Sequence, residues 1–127
     1  MSDSSARVRA FLHAFGCASL QPEQLGACFA DQFLSADADG PRSVTREAFL
    51  RALPRRAAVF ADAGYGPTVL TALTETRLDD HYVLVRTEWS ALRPAGGDPL
   101  PLASSFLLHD DGDNLRIVLY LNHDGLH

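Results

Sequence analysis

The hydrophobic and polar positions of this chain follow two different periods, and the change comes near its middle. Before residue 64, apolar residues recur at spacings of three and four, as in an amphipathic helix. The clearest such stripe is Val8, Phe11, Leu12 and Phe15. Ser4 or Ser5 can cap the start of this predicted first helix, and Gly16 can end it in a left-handed turn.

Two further helices are predicted in the first half. A short one begins at Pro22, where a missing backbone N–H does no harm. Its apolar face is Leu25, Cys28 and Phe29. The other follows Thr45, whose hydroxyl can cap it, and ends at Gly64. Pro54 lies inside this last helix and is expected to kink or divide it, because proline removes a backbone donor and crowds the preceding turn.

From Thr68 onwards the pattern alternates residue by residue, which is typical of β-strands. The long predicted strands are Thr68–Leu78, His81–Leu92, Leu100–His109 and Leu115–His123. They are joined by a two-residue turn at Asp79-Asp80 and by the loops Arg93–Pro99 and Asp110–Asn114. The second long strand places one set of side chains on a single face, which we expect to point at the helices: Val83, Val85, Thr87, Trp89 and Ala91. Earlier in the chain, Gln32–Ala36 is predicted as a short strand and Asp37–Pro41 as a turn.

The last predicted strand is apolar on both faces. One face is Leu115, Ile117, Leu119 and Leu121, and the other is Arg116, Val118, Tyr120 and Asn122. A strand of this kind is usually covered on both sides. The helices can cover one face, and a second copy of the chain is the simplest cover for the other, which predicts a homodimer through the sheet.

The separation of helices from strands along the chain predicts an α+β domain. We expect a cone-shaped α+β roll, with the N-terminal helices packed in a strongly bent, mainly antiparallel sheet that encloses an apolar cavity. A chain of 127 residues fits one such domain, which we place over residues 1–127.

Composition excludes several classes of protein. The net charge of −5 argues against nucleic acid as a partner, and no apolar stretch is long enough for a membrane span. We see no signal peptide, and we interpret Cys17 and Cys28 as buried apolar residues of a cytoplasmic protein. No Cys or His pair has metal-ligand spacing, so neither a metal nor a cofactor is expected.

Three segments resemble the nuclear transport factor 2-like (NTF2-like) superfamily, which includes ketosteroid isomerase and the SnoaL-like polyketide cyclases. These are residues 29–40 (FADQFLSADADG), 46–49 (REAF) and 117–123 (IVLYLNH), set in the order helix, helix, short strand, helix and four long strands. The resemblance covers nearly the whole chain and implies a bent sheet wrapped around a long helix, with a pocket at its wide end. Members include isomerases, cyclases, dehydratases, hydrolases and proteins without chemistry, so fold alone does not assign a reaction.

Two residues are candidates for proton transfer. The resemblance implies that Asp37 stands where ketosteroid isomerases keep their carboxylate base; the alternative is that Asp37 only stabilises its turn. His123 lies beside Asp124 and can act as a second proton carrier, although a histidine at a strand end is more often a surface residue. The predicted ligand-binding wall is Phe11, Phe33, Trp89, Phe106 and Tyr120.

Two functions follow from these features. One is a small enzyme that takes a proton from an apolar, carbonyl-containing metabolite and so catalyses isomerisation, cyclisation or dehydration. The other is a non-catalytic dimeric module that binds a ligand or mediates an interaction. Trp89 is either a core residue or part of the pocket wall, because a buried indole N–H needs a partner and a ligand or a water in a pocket can provide one.

Overall fold

The computed structural model describes residues 2–18, 26–65 and 68–124. Within these ranges, side chains are described at every position except 2–5, 16–18, 53, 56, 57, 59, 60 and 124. The predicted start of a second helix at Pro22, and Leu25 on its apolar face, lie outside the described residues. The side chain of Cys17 also lies outside them.

The described residues form two helices and one sheet of six strands. In chain order these are α1 (Ser2–Ala18), β1 (Phe29–Asp37), β2 (Gly40–Thr45), α2 (Arg46–Asp62), β3 (Thr68–Arg77), β4 (Tyr82–Ala91), β5 (Leu100–Asp110) and β6 (Leu115–Asp124). The strand order is β2-β1-β6-β5-β4-β3, and only the β1–β6 pair is parallel. Helix α1 packs against β3, and α2 packs against β1 and β2. The predicted α+β class, with helices on a mainly antiparallel sheet, is confirmed.

Helix α2 is the element whose ends follow the sequence signals most closely. The Thr45 hydroxyl accepts a hydrogen bond from the Ala48 amide at 3.1 Å, which satisfies one of the free donors of the first turn. At the other end, Gly64 has a φ of +87° and its amide donates to the Ala61 carbonyl at 3.0 Å. Pro54 does not divide this helix, which continues on both sides of it.

Strand β2 was not expected from the sequence. It pairs antiparallel with β1 across the Ala38-Asp39 turn, and Gly40 after that turn has a φ of +122°. The sequence of β2 does not show the alternating apolar pattern of a strand, because Val44 is its only large apolar residue and Pro41 lies within it. Proline is tolerated in a strand at the edge of a sheet, which is where β2 lies. Phe29 was predicted on the apolar face of the short second helix. In the structure it is instead the first residue of β1.

The connection between β3 and β4 is longer than the predicted two-residue turn. The Leu78 amide donates to the Tyr82 carbonyl at 3.0 Å, which leaves three residues in the loop. The Asp79 carboxylate accepts hydrogen bonds from the amides of His81 and Tyr82, at 2.8 and 2.9 Å. These bonds lower the pKa of Asp79 below its usual value, the bond from His81 most strongly.

Bulges change which face of the sheet some side chains occupy. In β6 the pairing with β5 shifts between Ile117 and Leu119, so Ile117 and Tyr120 both lie on the side of the helices. Leu119 and Leu121 therefore lie on the opposite side, which we call the outer face. The predicted faces of the last strand are thus wrong beyond Ile117, because one extra residue exchanges the two sets of side chains.

A similar bulge interrupts β3. The pairing with β4 shifts between Leu70 and Ala72, and the Thr71 hydroxyl donates to the Glu88 carbonyl at 3.0 Å. Leu70 and Leu73 consequently both pack against the core, although the simple alternation put them on opposite faces.

The core lies between the helices and one face of the sheet. The predicted inward face of β4 is confirmed, since all five of its residues are buried. Buried side chains of both helices join it, including Val8 and Leu12 from α1 and Phe49 from α2. Cys28 also belongs to the core, as predicted, and burial raises the pKa of its thiol.

One ion network ties α1 to the sheet. Asp110 at the end of β5 is buried, and both its oxygens accept hydrogen bonds at 3.1 Å from the Arg7 guanidinium. Arg77 of β3 adds a third bond at 3.1 Å, and the Gly112 amide adds a fourth at 2.9 Å. The buried carboxylate thereby has partners from a helix, a strand and a turn, which is what a buried charge requires.

Candidate functional site

Seven aromatic side chains meet on the helix side of the sheet. We call this group the aromatic cluster: Phe15, Phe29, Phe33, Phe49, Trp89, Phe106 and Tyr120. Phe106 and Tyr120 stack with centroids 5.1 Å apart and planes at 9°, and Phe15 meets Phe106 edge-on at 5.3 Å. Phe29 is completely buried and lies 4.5 Å from Phe33. Such contacts bring large apolar surfaces together in defined orientations.

A line of polar residues crosses the same face beside the aromatic cluster. We call it the polar row, and its members are Asp37 of β1, Asn122 of β6, Ser104 of β5 and Thr87 of β4. The β5–β6 register pairs Ser104 with Asn122, and the β4–β5 register pairs Thr87 with Ser104. The β1–β6 register runs to Ala36 and Leu121, so the next step along both strands brings Asp37 beside Asn122.

Hydrogen bonds connect most of the polar row. The Thr87 hydroxyl donates to the Ser104 carbonyl at 3.0 Å, and the Ser104 hydroxyl donates to Asn122 Oδ1 at 3.2 Å. The Asn122 Nδ2 group donates to no other described residue, and its side chain is only half-buried. The hydrogen-bonded part of the polar row therefore ends at the Asn122 amide, a donor that a bound molecule can reach.

Trp89 is joined to the polar row from within the protein. Its indole N–H donates to the Thr87 hydroxyl at 2.6 Å, and its ring lies 6.3 Å from Phe15. The indole therefore needs neither a ligand nor a water as its partner. The ring is 7% exposed and is the only tryptophan in the chain.

Asp37 lies at the end of β1 on the same face as Phe33, two alternations further along. Its Oδ1 accepts a hydrogen bond from the Asp39 amide at 2.8 Å, which is the bond that a turn-stabilising aspartate makes. Oδ2 has no hydrogen-bond partner among the described residues. Oδ1 of Asp37 thus stabilises the turn, whereas Oδ2 is available to accept a hydrogen bond or a proton.

His123 does not share a site with Asp37. Its Nε2 lies 2.7 Å from the Ser105 hydroxyl. Ser105 lies between the buried residues Ser104 and Phe106 on β5, so its side chain is on the outer face. The structure therefore puts the two predicted proton carriers on opposite faces of the sheet.

The predicted ligand-binding residues do come together. Phe33, Trp89, Phe106 and Tyr120 belong to the aromatic cluster, and Phe11 packs against the core. Sequence reasoning missed Ser104 and Asn122, although each lies two residues from a predicted aromatic on its own strand. That spacing was the available signal, because side chains two apart in a strand share a face. The apolar cavity expected beside these residues stays a prediction.

Among the described residues, no three His, Cys, Asp or Glu side chains are grouped closely enough to hold a metal ion. Neither α1 nor α2 is both long enough and apolar enough to cross a lipid bilayer.

Comparisons with known proteins show similarity in structure alone. No protein-family model matches the sequence, and no curated protein matches it. An NTF2-like protein of unknown function from Shewanella oneidensis has a TM-score of 0.76 at 14% identity, over 95% of this chain and 99% of that one. A protein of unknown function with a cystatin-like fold from Nostoc punctiforme has a TM-score of 0.77 at 8% identity, over 97% of this chain and 92% of that one.

A third similar structure has a proposed activity. It is described as a candidate aromatic ring hydroxylase from Novosphingobium aromaticivorans, with a TM-score of 0.72 at 11% identity, over 100% of this chain and 92% of that one. At these identities the likeness shows the fold and leaves activity open. The resemblance of the sequence to the NTF2-like superfamily is thus confirmed in three dimensions: this chain has the NTF2-like, cystatin-like fold.

Proposed function

We propose that this domain binds a small, mainly apolar molecule with a carbonyl group, held between the aromatic cluster and the polar row. Small-molecule sites are mostly apolar, with a few polar groups that fix the orientation of the ligand. The observation that carries the proposal is the Asn122 amide, which ends the polar row beside Tyr120 with a donor that no described residue uses. A carbonyl oxygen is the group that such a donor binds.

The same arrangement supports proton abstraction. Asp37 Oδ2 takes a proton from the carbon next to the carbonyl, the C–H electrons form a carbon–carbon double bond, and negative charge develops on the oxygen. The Asn122 amide stabilises that charge by donating to the oxygen. Isomerisation, cyclisation and dehydration can each begin with this step. His123 has no role in it, because it lies on the outer face.

The alternative is that the domain binds without catalysis. The hydrogen bond from the Asp39 amide already gives Asp37 a structural role in the β1–β2 turn. In that case Asp37 is a turn residue, as the sequence also allowed, and the site only carries its ligand. We place either activity in the cytoplasm, whose reducing conditions fit the buried thiol of Cys28.

We further propose that the domain is a homodimer through the outer face. A row of leucines crosses that face, since Leu34 pairs with Leu119, Leu119 with Leu107 and Leu107 with Leu84. Leu34 and Leu84 at its two ends are 43% and 41% exposed. An apolar band of this kind on a sheet is a common interaction surface.

The charges beside the leucine row suit a second copy of the same chain. Arg86 and Glu88 lie two residues apart on the outer face of β4, and neither forms an ion pair with a described residue. A twofold axis between the two copies brings each of them near its opposite charge. A standard interface takes about 800 Å² from each partner, which is roughly a tenth of the 7785 Å² exposed by this chain.

Sedimentation equilibrium tests the dimer. Leu84→Arg puts a charge in the leucine row and should give a monomer, whereas Leu78→Arg, on the 56% exposed leucine of the β3–β4 loop, should leave the dimer intact. A wild-type protein that sediments as a monomer contradicts the proposal. So does a Leu84→Arg variant that remains a dimer.

Binding is tested with acetophenone, a small aromatic ketone, and the fluorescence of Trp89. We expect saturable quenching in the wild type. Asn122→Leu should weaken binding by about tenfold, which corresponds to the loss of one hydrogen bond of about 1.4 kcal/mol. Thr74→Ala, an exposed change in β3, is the control and should bind normally. No saturable quenching, or equal binding by Asn122→Leu, contradicts the binding site.

Proton abstraction is tested with the same probe in D2O. An enzyme that removes the proton next to the carbonyl exchanges the methyl protons of acetophenone for deuterium, and NMR measures their loss. We expect exchange above the buffer rate in the wild type and none in Asp37→Asn. Binding without exchange would leave the non-catalytic alternative.

A further inference from the structure

A concavity lies away from the aromatic cluster, at the far end of β1 and β6. It is an open cavity of about 350 Å³, lined by Ala30, Asp31, Arg46, His109, Arg116 and Val118. His109 and Arg116 are outer-face residues that pair directly across β5 and β6. None of the six belongs to the aromatic cluster or to the polar row.

The cavity lies where β1 and β6 separate. Phe29 pairs with Ile117 and Leu34 with Leu119, so four residues of β1 lie opposite a single residue of β6. Ala30 and Asp31 pair with neither β6 nor β2, and Val118 pairs with neither β1 nor β5. Three lining residues thus have no register partner in the neighbouring strands, which is the local irregularity that a bulge produces.

Two arginines and one aspartate line the cavity. Arg46 and Arg116 carry positive charges and Asp31 a negative one, and Asp111 lies 3.8 Å from Arg116 beside the lining residues. Asp31 is 88% exposed, so water weakens its effect on its neighbours.

The two arginines differ in how firmly they are held. Arg46 bonds Asp31 Oδ1 at 2.8 Å and the Phe29 carbonyl at 3.4 Å, which fixes its guanidinium at the cavity wall. Arg116 lies 3.8 Å from Asp111 Oδ2, too far for a hydrogen bond. Its donors are therefore open to another acceptor. Arg46 is also the first residue of α2, where the helix dipole favours an anion.

We propose that this cavity binds the oxyanion of a small molecule, a carboxylate or a phosphate group, through Arg116 and Arg46. Guanidinium groups suit these planar or tetrahedral anions because they present several donors in a fixed arrangement. The proposal is independent of the function assigned to the aromatic cluster, since the two sites share no residue.

The test is an NMR titration of the isotopically labelled protein, in which the amide resonances of Ala30, Asp31 and Val118 are monitored. Inorganic phosphate and acetate are titrated separately at constant ionic strength, and the arm that saturates at lower concentration identifies the preferred group. Arg116→Gln should weaken binding by about tenfold, the factor for one hydrogen bond to a charged group. Arg42→Gln removes an exposed arginine of β2 outside the cavity and should bind like the wild type.

A variant that is expected to bind the anion more tightly gives a second test. Asp31→Asn removes the carboxylate that competes for Arg46, so it should bind the anion more tightly. Each variant is first checked for a wild-type pattern of amide resonances outside the cavity. If neither anion gives saturable shifts at the three amides, or if Arg116→Gln and Arg42→Gln lose affinity equally, the site does not exist. An equal or weaker affinity of a folded Asp31→Asn variant also contradicts it.

Discussion

The two faces of one sheet differ in how their side chains are satisfied. On the helix side, the aromatic cluster packs within the chain and Trp89 bonds Thr87 within the same strand, while Asn122 and Asp37 each keep one polar group that no described residue uses. On the outer face, Leu34 and Leu84 remain exposed, and Arg86 and Glu88 have no charged partner among the described residues. The helix side is thus packed mainly within the chain. The outer face is the one on which we propose that a second copy of the chain packs.

The largest difference between the faces should appear when one large side chain is removed from each. Phe106 is completely buried and contacts Phe15 and Tyr120, so Phe106→Ala should lower the free energy of unfolding by about 3–5 kcal/mol. Leu84→Ala on the outer face should cost less than about 1 kcal/mol in the monomer. Urea unfolding at low protein concentration measures both. Equal losses would show that the two faces are packed alike.

A substitution at Asp110 tests the ion network that ties α1 to the sheet. Asp110→Asn removes a buried carboxylate from Arg7 and Arg77 and should lower the free energy of unfolding by about 2 kcal/mol, since bonds to charged groups are the strong ones. The exposed pair of Glu47 and Arg51 is the control. Glu47→Gln should cost less than about 0.5 kcal/mol. A cost for Asp110→Asn as small as that of Glu47→Gln would contradict the assignment.

The same carboxylate should give the protein a defined loss of stability in acid. The hydrogen bonds from Arg7, with those from the Gly112 amide and Arg77, lower the pKa of Asp110 from 3.8 to about 2 against the opposing effect of burial. Because the unfolded chain takes up this proton at higher pH, the contribution of Asp110 is complete above about pH 4 and is lost as the pH falls towards 2. The difference in unfolding free energy between the wild type and Asp110→Asn should therefore shrink over that range. A constant difference would show that the carboxylate is not charged in the fold.

Thr87 should give a smaller effect with its own optical signature. Thr87→Val keeps the shape but removes the acceptor of the Trp89 indole, which should cost about 1–2 kcal/mol and change the fluorescence of the only tryptophan. Ser105→Ala on the outer face is the matched change and should leave that fluorescence unaltered. Identical spectra for Thr87→Val and the wild type would mean that the indole does not bond Thr87.

Sequence alone predicted the parts of the fold in which local pattern and packing agree. The inward face of β4 was predicted because its alternation is uninterrupted from Val83 to Ala91. The cap at Thr45 and the stop at Gly64 were predicted because each uses local backbone chemistry. Trp89, Phe106 and Tyr120 were predicted as parts of one ligand-binding wall, and the rings of all three lie near Phe15 in the structure.

The features that sequence did not predict depend on pairing between distant residues. The bulge in β6 was hidden because both of its faces are apolar, so a shift of one residue leaves no mark on the pattern. Because of that shift, Asn122 lies beside Ser104 on the helix side, and His123 lies on the outer face. The separation of β1 from β6 beside the cavity at Ala30 and Val118 is also a matter of register, which local sequence propensity does not determine.

The most direct test of the binding site is to ask which face of the sheet a bound ketone touches. Intermolecular nuclear Overhauser effects between the protons of acetophenone and the protein should reach Phe106, Tyr120 and Asn122 on the helix side. Effects confined to Leu84, Leu107 and Leu119 would place the ligand on the outer face and contradict the account.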